Sequence, residues 1–401
     1  MLFRLVCVKK VLSFNRQLVE FQSTIFAEMS ALAINTASIN LGQGFPDTDG
    51  PREIADAAIE AIRAGHNQYP PGPGIPELRR AVVSHQLRFY DIELDSESEV
   101  LITAGATEAI CAAIVGLCNS GDEVVLFEPF YDSYAASVAI AGATRKVVPL
   151  RGSNFEFDPA DLEKAVTNRT KVILLNTPHN PTGKVFTSKE LGEIARVAIE
   201  RDLLVVVDEV YEHLVFEGRH IPISTLPGME ERTLTVSSAA KSFSYTGWKV
   251  GWVTGPAPLV AATRSAKQFM TYVNAAPFQH AISYALDNAE NFTEQVRKPM
   301  VDQRNSLVSG LNRLGFSTFP TSGTYFVISD LGGAIGSNTA NFCIELAKLA
   351  HVVSIPVSAF YDDHQRDEGQ IRWTFCKKPE VIRDALCRLT EHRDEIKAMV
   401  F

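Results

Sequence analysis

Between Val100 and Val253 the chain repeats one pattern: a short, almost continuous apolar run, a turn signal, then an Ala-rich or amphipathic stretch. The runs are Val100–Thr103, Glu123–Phe127, Arg145–Val148, Lys171–Leu175, Leu203–Val207, Thr233–Val236 and Val250–Val253. Strands buried on both faces read as continuous apolar runs rather than alternating ones. Seven of them with helices between predict an α/β fold built on a mainly parallel seven-stranded sheet covered on both faces. Ala106–Leu117 and Lys189–Arg201 are the clearest helical candidates. The last third differs. Long helical patterns run from Ala281 to Leu314, strand-like pieces follow at Thr324–Ile328 and Ile371–Phe375, and a final helix is expected near Glu380–Met399. This reads as a smaller α+β unit. A chain of 401 residues exceeds what one growing core accommodates. The expected division is therefore a large domain over 46–280 and a small domain over 281–401. The arm 1–45 is too short to fold alone and is expected to pack against the small domain.

Charge and cysteine content narrow the function classes. The formal net charge is −9 with no basic stripe, which argues against a nucleic-acid partner. None of the six cysteines forms a CxxC pair, and no His/Cys group has zinc spacing, so no metal is expected and the thiols read as reduced, as in a cytoplasmic protein. No apolar run is long enough to span a bilayer. The basic, apolar N-terminus is interrupted by Lys9 and Lys10, and no small-residue cleavage site follows it. It reads as a plain N-terminal arm rather than a secretory signal, with a transit peptide or an overlong start as alternatives.

Ligands of open α/β sheets bind beyond the carboxyl ends of the strands, so the residues following each run are the candidates for chemistry. After Leu234-Thr-Val comes Ser237-Ser-Ala-Ala-Lys241, with Lys249 shortly beyond. A lysine in such a place is either a surface turn residue or a desolvated amine made nucleophilic toward a carbonyl. After Leu203–Val207 comes Asp208-Glu-Val-Tyr211. Asp208 is a helix cap or a buried acid; opposite a pyridine nitrogen it would keep that nitrogen protonated. Tyr211 could then bond the ring oxygen. Asn176-Thr-Pro-His-Asn180 is a turn whose amide could donate to the same oxygen. Gly105 opens a helix whose free N–H groups suit a phosphate, although such a turn is weak evidence alone. Tyr131 is a core aromatic or a ring that stacks on a ligand. Arg372, amid apolar residues, needs a partner: a structural acid or a substrate carboxylate held bidentately.

Taken together, these segments resemble the class I/II aminotransferases, which have fold type I of the pyridoxal-phosphate enzymes. The likeness runs from about Phe26 to the end. It rests on Asn40-Leu-Gly-Gln-Gly44-Phe-Pro-Asp, Asn67-Gln-Tyr69-Pro, Gly105-Ala-Thr, Asn176-Thr-Pro-His-Asn180-Pro-Thr-Gly, Asp208-Glu-Val-Tyr211 and Ser238-Ala-Ala-Lys241 with Lys249, in the family's order. Within the family the chain is similar to the kynurenine/glutamine and methionine aminotransferases. It is more similar to actinobacterial N-succinyldiaminopimelate aminotransferases of lysine biosynthesis.

The resemblance implies that pyridoxal 5'-phosphate is the cofactor, carried by Lys241 as a Schiff base and paired through Asp208. It implies that Tyr211 and Asn180 hold the ring oxygen. Gly105, Ala106, Thr107, Ser238 and Lys249 would bind the phosphate, joined by Tyr69 of a neighbouring subunit, and Tyr131 would stack on the ring. Arg372 and the Gly44 backbone would hold the substrate carboxylate, with Phe26 at the side-chain pocket. Shared sites imply a homodimer. Val273-Asn274-Ala275-Ala276-Pro277 lacks the aromatic cluster of kynurenine transaminases. A pocket with Asn274 would suit a polar or longer aliphatic substrate. The implied reaction is amino transfer from an L-amino acid to a 2-oxo acid such as 2-oxoglutarate. N-succinyl-LL-diaminopimelate is the expected donor; kynurenine-, glutamine- or methionine-type transfer and cysteine-conjugate β-elimination are the alternatives.

Overall fold

The computed structural model describes residues 15–21, 23–332, 338–363 and 365–400. The basic stretch at 1–14, with Cys7, lies outside the described residues.

Each apolar run forms a strand: β1 Val100–Thr103, β2 Glu123–Glu128, β3 Thr144–Pro149, β4 Thr170–Asn176, β5 Leu204–Asp208, β6 Thr233–Ser238 and β7 Gly251–Thr254. They make one sheet in the order β1-β7-β6-β5-β4-β2-β3. All neighbours are parallel except β7, which runs antiparallel to both β1 and β6. Alternate faces of the sheet are covered by separate cores. Val125, Ile173 and Val205 pack with the helix Ser188–Glu200 on one side; Val124, Val172 and Val206 pack with the helix Gly105–Leu117 on the other. This double burial is why the middles of the central strands, Val124–Phe127, Val172–Leu175 and Val205–Val207, are unbroken apolar runs.

The register fixes where chemistry can occur. Asn176 pairs with Asp208, Asp208 with Val236, Ser238 with Gly251, and Gly251 with Thr103. The ends of β4, β5, β6 and β1 therefore meet along one edge of the sheet.

The C-terminal third contains an antiparallel sheet in which β8 Phe326–Asp330 and β9 Gln370–Thr374 are central, with Ser317–Thr318 and Ile355–Pro356 at the edges. Its core includes Met29, Ala33 and Leu41 from the N-terminal segment, together with Leu307, Val327, Leu346 and Trp373. Residues 39–40 also pair in parallel with Val352–Val353. The long helical pattern is two helices, Ala276–Asp287 and Ala289–Leu314. The expected border at 280/281 falls inside the first of them. Its apolar face, with Ala281, Ile282 and Ala285, packs on Ile54, Leu78 and Val82 beside the large sheet. Helical periodicity reports an apolar face but not which core receives it.

Among the described residues no helix is long and apolar enough to cross a membrane. Cys111, Cys118, Cys343, Cys376 and Cys387 are free thiols.

Candidate active site

The edge where the strand ends meet is the floor of a cleft, and the small sheet closes its other side. Every residue singled out for cofactor or substrate lines this cleft, with two exceptions, Tyr69 and Asn274. Tyr69 lies outside it, 83% exposed, its ring against Tyr272.

Asp208 ends β5 and is 5% exposed. The Tyr134 hydroxyl donates to its carboxylate at 2.6 Å, and the Val210 amide donates at 3.2 Å. Burial nevertheless pushes its pKa up to about 6, because two neutral donors offset only part of the lost hydration. Asn176 holds the turn beyond: its amide donates to the Asp208 carbonyl at 2.8 Å, and its Oδ1 accepts from the Asn180 amide at 2.7 Å.

Lys241 sits on the short helix Ala239–Ser242 that follows β6. Its Nζ donates to the Tyr325 hydroxyl at 2.7 Å. Tyr325 in turn donates to the Gly44 carbonyl, which also lies 3.5 Å from Nζ. Among the described residues no carboxylate forms an ion pair with the amine, and burial lowers its pKa to about 8. Gly44 is required by close approach: a Cβ there would lie 2.4 Å from the Phe326 ring. Tyr211 meets the Tyr325 ring edge-on at 5.3 Å, and burial raises its hydroxyl pKa.

At the other end of the floor, the helix Gly105–Leu117 begins without a capping side chain, since Ala104 occupies the N-cap. By contrast, Thr187 and Glu190 form a full capping box on Ser188–Glu200. An uncapped first turn leaves N–H groups free for an anion. Gly105 has φ +77, and a Cβ on it would come within 3.4 Å of Lys249 Nζ, so that ammonium hangs over the same turn. Gly251 lets β7 pass close beneath; a Cβ there would lie 2.7 Å from the Gly105 carbonyl carbon. With Ser238 beside them, these groups form a cationic, donor-rich cradle fit for a phosphate.

Arg372, on β9, is 1% exposed. Its terminal nitrogens donate to Asn180 Oδ1 and to the Gly42 carbonyl, both at 2.8 Å. Its Nε has no hydrogen-bond partner among the described residues. The guanidinium lies over the Phe326 ring at 3.9 Å, with Phe360 at 4.7 Å and Phe26 at 5.3 Å. Burial among rings and neutral oxygens lowers its pKa to about 10. Phe26 also packs on Tyr131, whose phenol burial raises to about 12.

Two neighbours escaped the sequence reading. Tyr134 follows Tyr131 by three residues on a helix, a spacing that places both on one face. Tyr325 carries no local signal. One expectation is corrected. Asn274 does not line the cleft: its amide donates to the carbonyls of Thr103 and Lys249 at 3.1 and 3.0 Å, and its Oδ1 accepts from Gln279 at 2.6 Å. With those bonds made, the side chain ties a loop to the Lys249 turn.

A buried acid, a buried amine, a phosphate cradle and an arginine whose hydrogen-bond partners among the described residues are neutral suit pyridoxal phosphate and an amino-acid carboxylate. The comparisons agree. The aminotransferase class I and II profile matches residues 36–389. The chain is 47% identical over 381 residues to a probable N-succinyldiaminopimelate aminotransferase of Mycobacterium tuberculosis, covering 92% of this chain and 96% of that one. It is 35% identical to the methionine aminotransferase of Escherichia coli, covering 94% and 97%. A solved structure of N-succinyldiaminopimelate aminotransferase from M. tuberculosis superposes with a TM-score of 0.91, covering 94% of this chain and all of that one. The chain belongs to the class I and II aminotransferases, pyridoxal-phosphate enzymes of fold type I.

Proposed function

We propose that this aminotransferase takes its amino group from N-succinyl-LL-2,6-diaminopimelate and gives it to 2-oxoglutarate, with Lys241 as the cofactor-bearing amine. What carries the site assignment is one arrangement: Lys241 and Asp208 open into a single cleft facing an arginine whose partners are neutral. The donor rests on the 47% identity to a relative so named.

Pyridoxal phosphate supplies the electron sink for the pair released at the substrate's α-carbon. The chain does the rest. Asp208 would keep a positive charge on the cofactor's ring nitrogen, since a buried carboxylate raises its neighbour's pKa. Lys241 Nζ takes the α-proton and returns it. Burial lowers its pKa to about 8 in the empty cleft, which favours the neutral amine that a general base requires. The free N–H groups at Gly105, Ala106 and Thr107, with Ser238 and Lys249, anchor the phosphate. Tyr211 and the Asn180 side-chain amide would hold the ring oxygen, and Tyr131 would stack on the ring. Arg372 grips the substrate α-carboxylate beside Gly44, with Phe26 over it.

The reading includes a cytoplasmic homodimer in which Tyr69 completes the partner's phosphate cradle. The exposure of Tyr69, Phe269 (86%) and Tyr272 (48%) on one chain supports such a contact. It also keeps 46–280 as the cofactor-bearing domain, with the arm 1–45 joined to 281–401.

Three measurements test this. Borohydride reduction of the loaded enzyme, followed by peptide mapping, should fix the cofactor to Lys241; an adduct elsewhere overturns the assignment. Glutamate formation from 2-oxoglutarate should be fastest, per enzyme and per donor concentration, with N-succinyl-LL-2,6-diaminopimelate. Kynurenine, methionine or glutamine ranking first would replace the donor. Pyruvate released from a cysteine conjugate without any oxo acid would favour elimination.

A further inference from the structure

A second group of polar side chains is buried away from the cleft, behind the turn that carries Asp208 and Tyr211. Glu212 and His213 follow that turn directly, and His85 faces them from the helix Pro76–Tyr90. Nε2 of His85 and Nε2 of His213 are 2.7 Å apart, although the residues are 128 positions apart in sequence. The ligand atoms of His85, Glu212 and His213 all lie within 4.8 Å of one another. His85 is 1% and Glu212 4% exposed, while His213 is half-buried.

The chemistry of the three is that of a metal-ligand set. Both ring nitrogens face each other. The two Nε2 atoms share one hydrogen bond, one ring donating and the other accepting, so a cation between them would take the place of that single proton. Glu212 bonds Ser237 through Oε1. Its buried Oε2 has no properly aimed hydrogen bond, although the Tyr90 phenol lies beside the carboxylate. The adjacent Glu209–His220 pair lies 3.0 Å apart, and the same imidazole acts electrostatically on Glu212.

We propose that His85, Glu212 and His213 bind a zinc-class divalent cation that ties the helix Pro76–Tyr90 to the turn bearing Asp208 and Tyr211. Two imidazoles and one carboxylate suit zinc and its first-row neighbours better than calcium or magnesium, which take oxygen sets. Two nitrogens on one tetrahedral zinc sit about 3.3 Å apart. The facing Nε2 atoms would thus part by about 0.6 Å, which the half-buried His213 can supply. The role is structural: a metal that binds only the folded chain adds to its stability.

The test uses the cofactor-loaded enzyme, washed with chelator, mixed with zinc chloride and then gel-filtered. The wild type should retain about one zinc per chain and unfold at a higher temperature with zinc than without. His213→Ala and, separately, Glu212→Gln should lose most of that zinc and the thermal shift, while the yellow cofactor absorbance shows that the site is folded. His213→Gln, at the half-buried position, carries the test if either variant fails to fold. Equal zinc retention in wild type and variants, or no retained zinc in the wild type, overturns the proposal and leaves a purely hydrogen-bonded cluster.

Discussion

The two ends of the cleft bury charge in opposite ways. At the floor, Asp208 has two aimed donors and a pKa raised to about 6. Beneath the small sheet, Arg372 lies among three phenylalanines and two neutral oxygens, with its Nε unpartnered and its pKa lowered to about 10. Each is a charge the chain itself leaves incompletely compensated. The first is rigidly held by its own loop, as befits a cofactor that stays. The second is caged by rings that grip a flat cation without neutralising it, as befits a carboxylate that comes and goes. An incompletely compensated buried charge marks where a ligand must supply the missing partner.

That contrast can be broken at either end. Asp208→Asn should lower turnover most, by about 100-fold or more, because the amide cannot hold a proton on the ring nitrogen. Steady-state kinetics with saturating cofactor would show it, and near-normal turnover would remove Asp208 from the chemistry. Arg372→Ala should act mainly on KM for amino acids, raising it about 10- to 100-fold through loss of a charge-assisted pair. An unchanged KM would mean that the carboxylate is held elsewhere.

The same aspartate gives a pH signature. In cofactor-free protein its folded pKa, about 6, lies above the unfolded value. The folded state then binds more protons between the two values, so stability falls as pH rises through that window and stays lower above it. Cofactor-free Asp208→Asn should therefore exceed cofactor-free wild type by about 1–3 kcal/mol at pH 8, with the gap narrowing by pH 4. Denaturant titrations at both pH values decide it. The smallest effect belongs to Phe26→Ala. Removing one of three rings from Arg372 should raise KM about 2- to 5-fold and leave turnover unchanged.

Much of the cleft was legible because its residues sit immediately after strand ends. Asp208, Lys241, Asn180 and Gly105 each follow an apolar run, and a parallel sheet brings such positions to one edge whatever lies between them. Strand positions themselves were readable to within about two residues, since double burial leaves a continuous apolar run. Asn274 was misread because its neighbours in sequence say nothing of the carbonyls it meets.

By itself, then, the sequence determined the sheet, the order of its motifs and the chemical types gathered at its edge, all consequences of local burial and turn chemistry. The tertiary structure alone decided that Tyr325 would hold Lys241, that Asn274 would brace a loop, that the helix Ala276–Asp287 would pack with the large sheet, and that His85 would meet Glu212 and His213. Those contacts join residues far apart in the chain, and hydrophobic periodicity, which reports only that a face is apolar, carries no record of which distant surface will cover it.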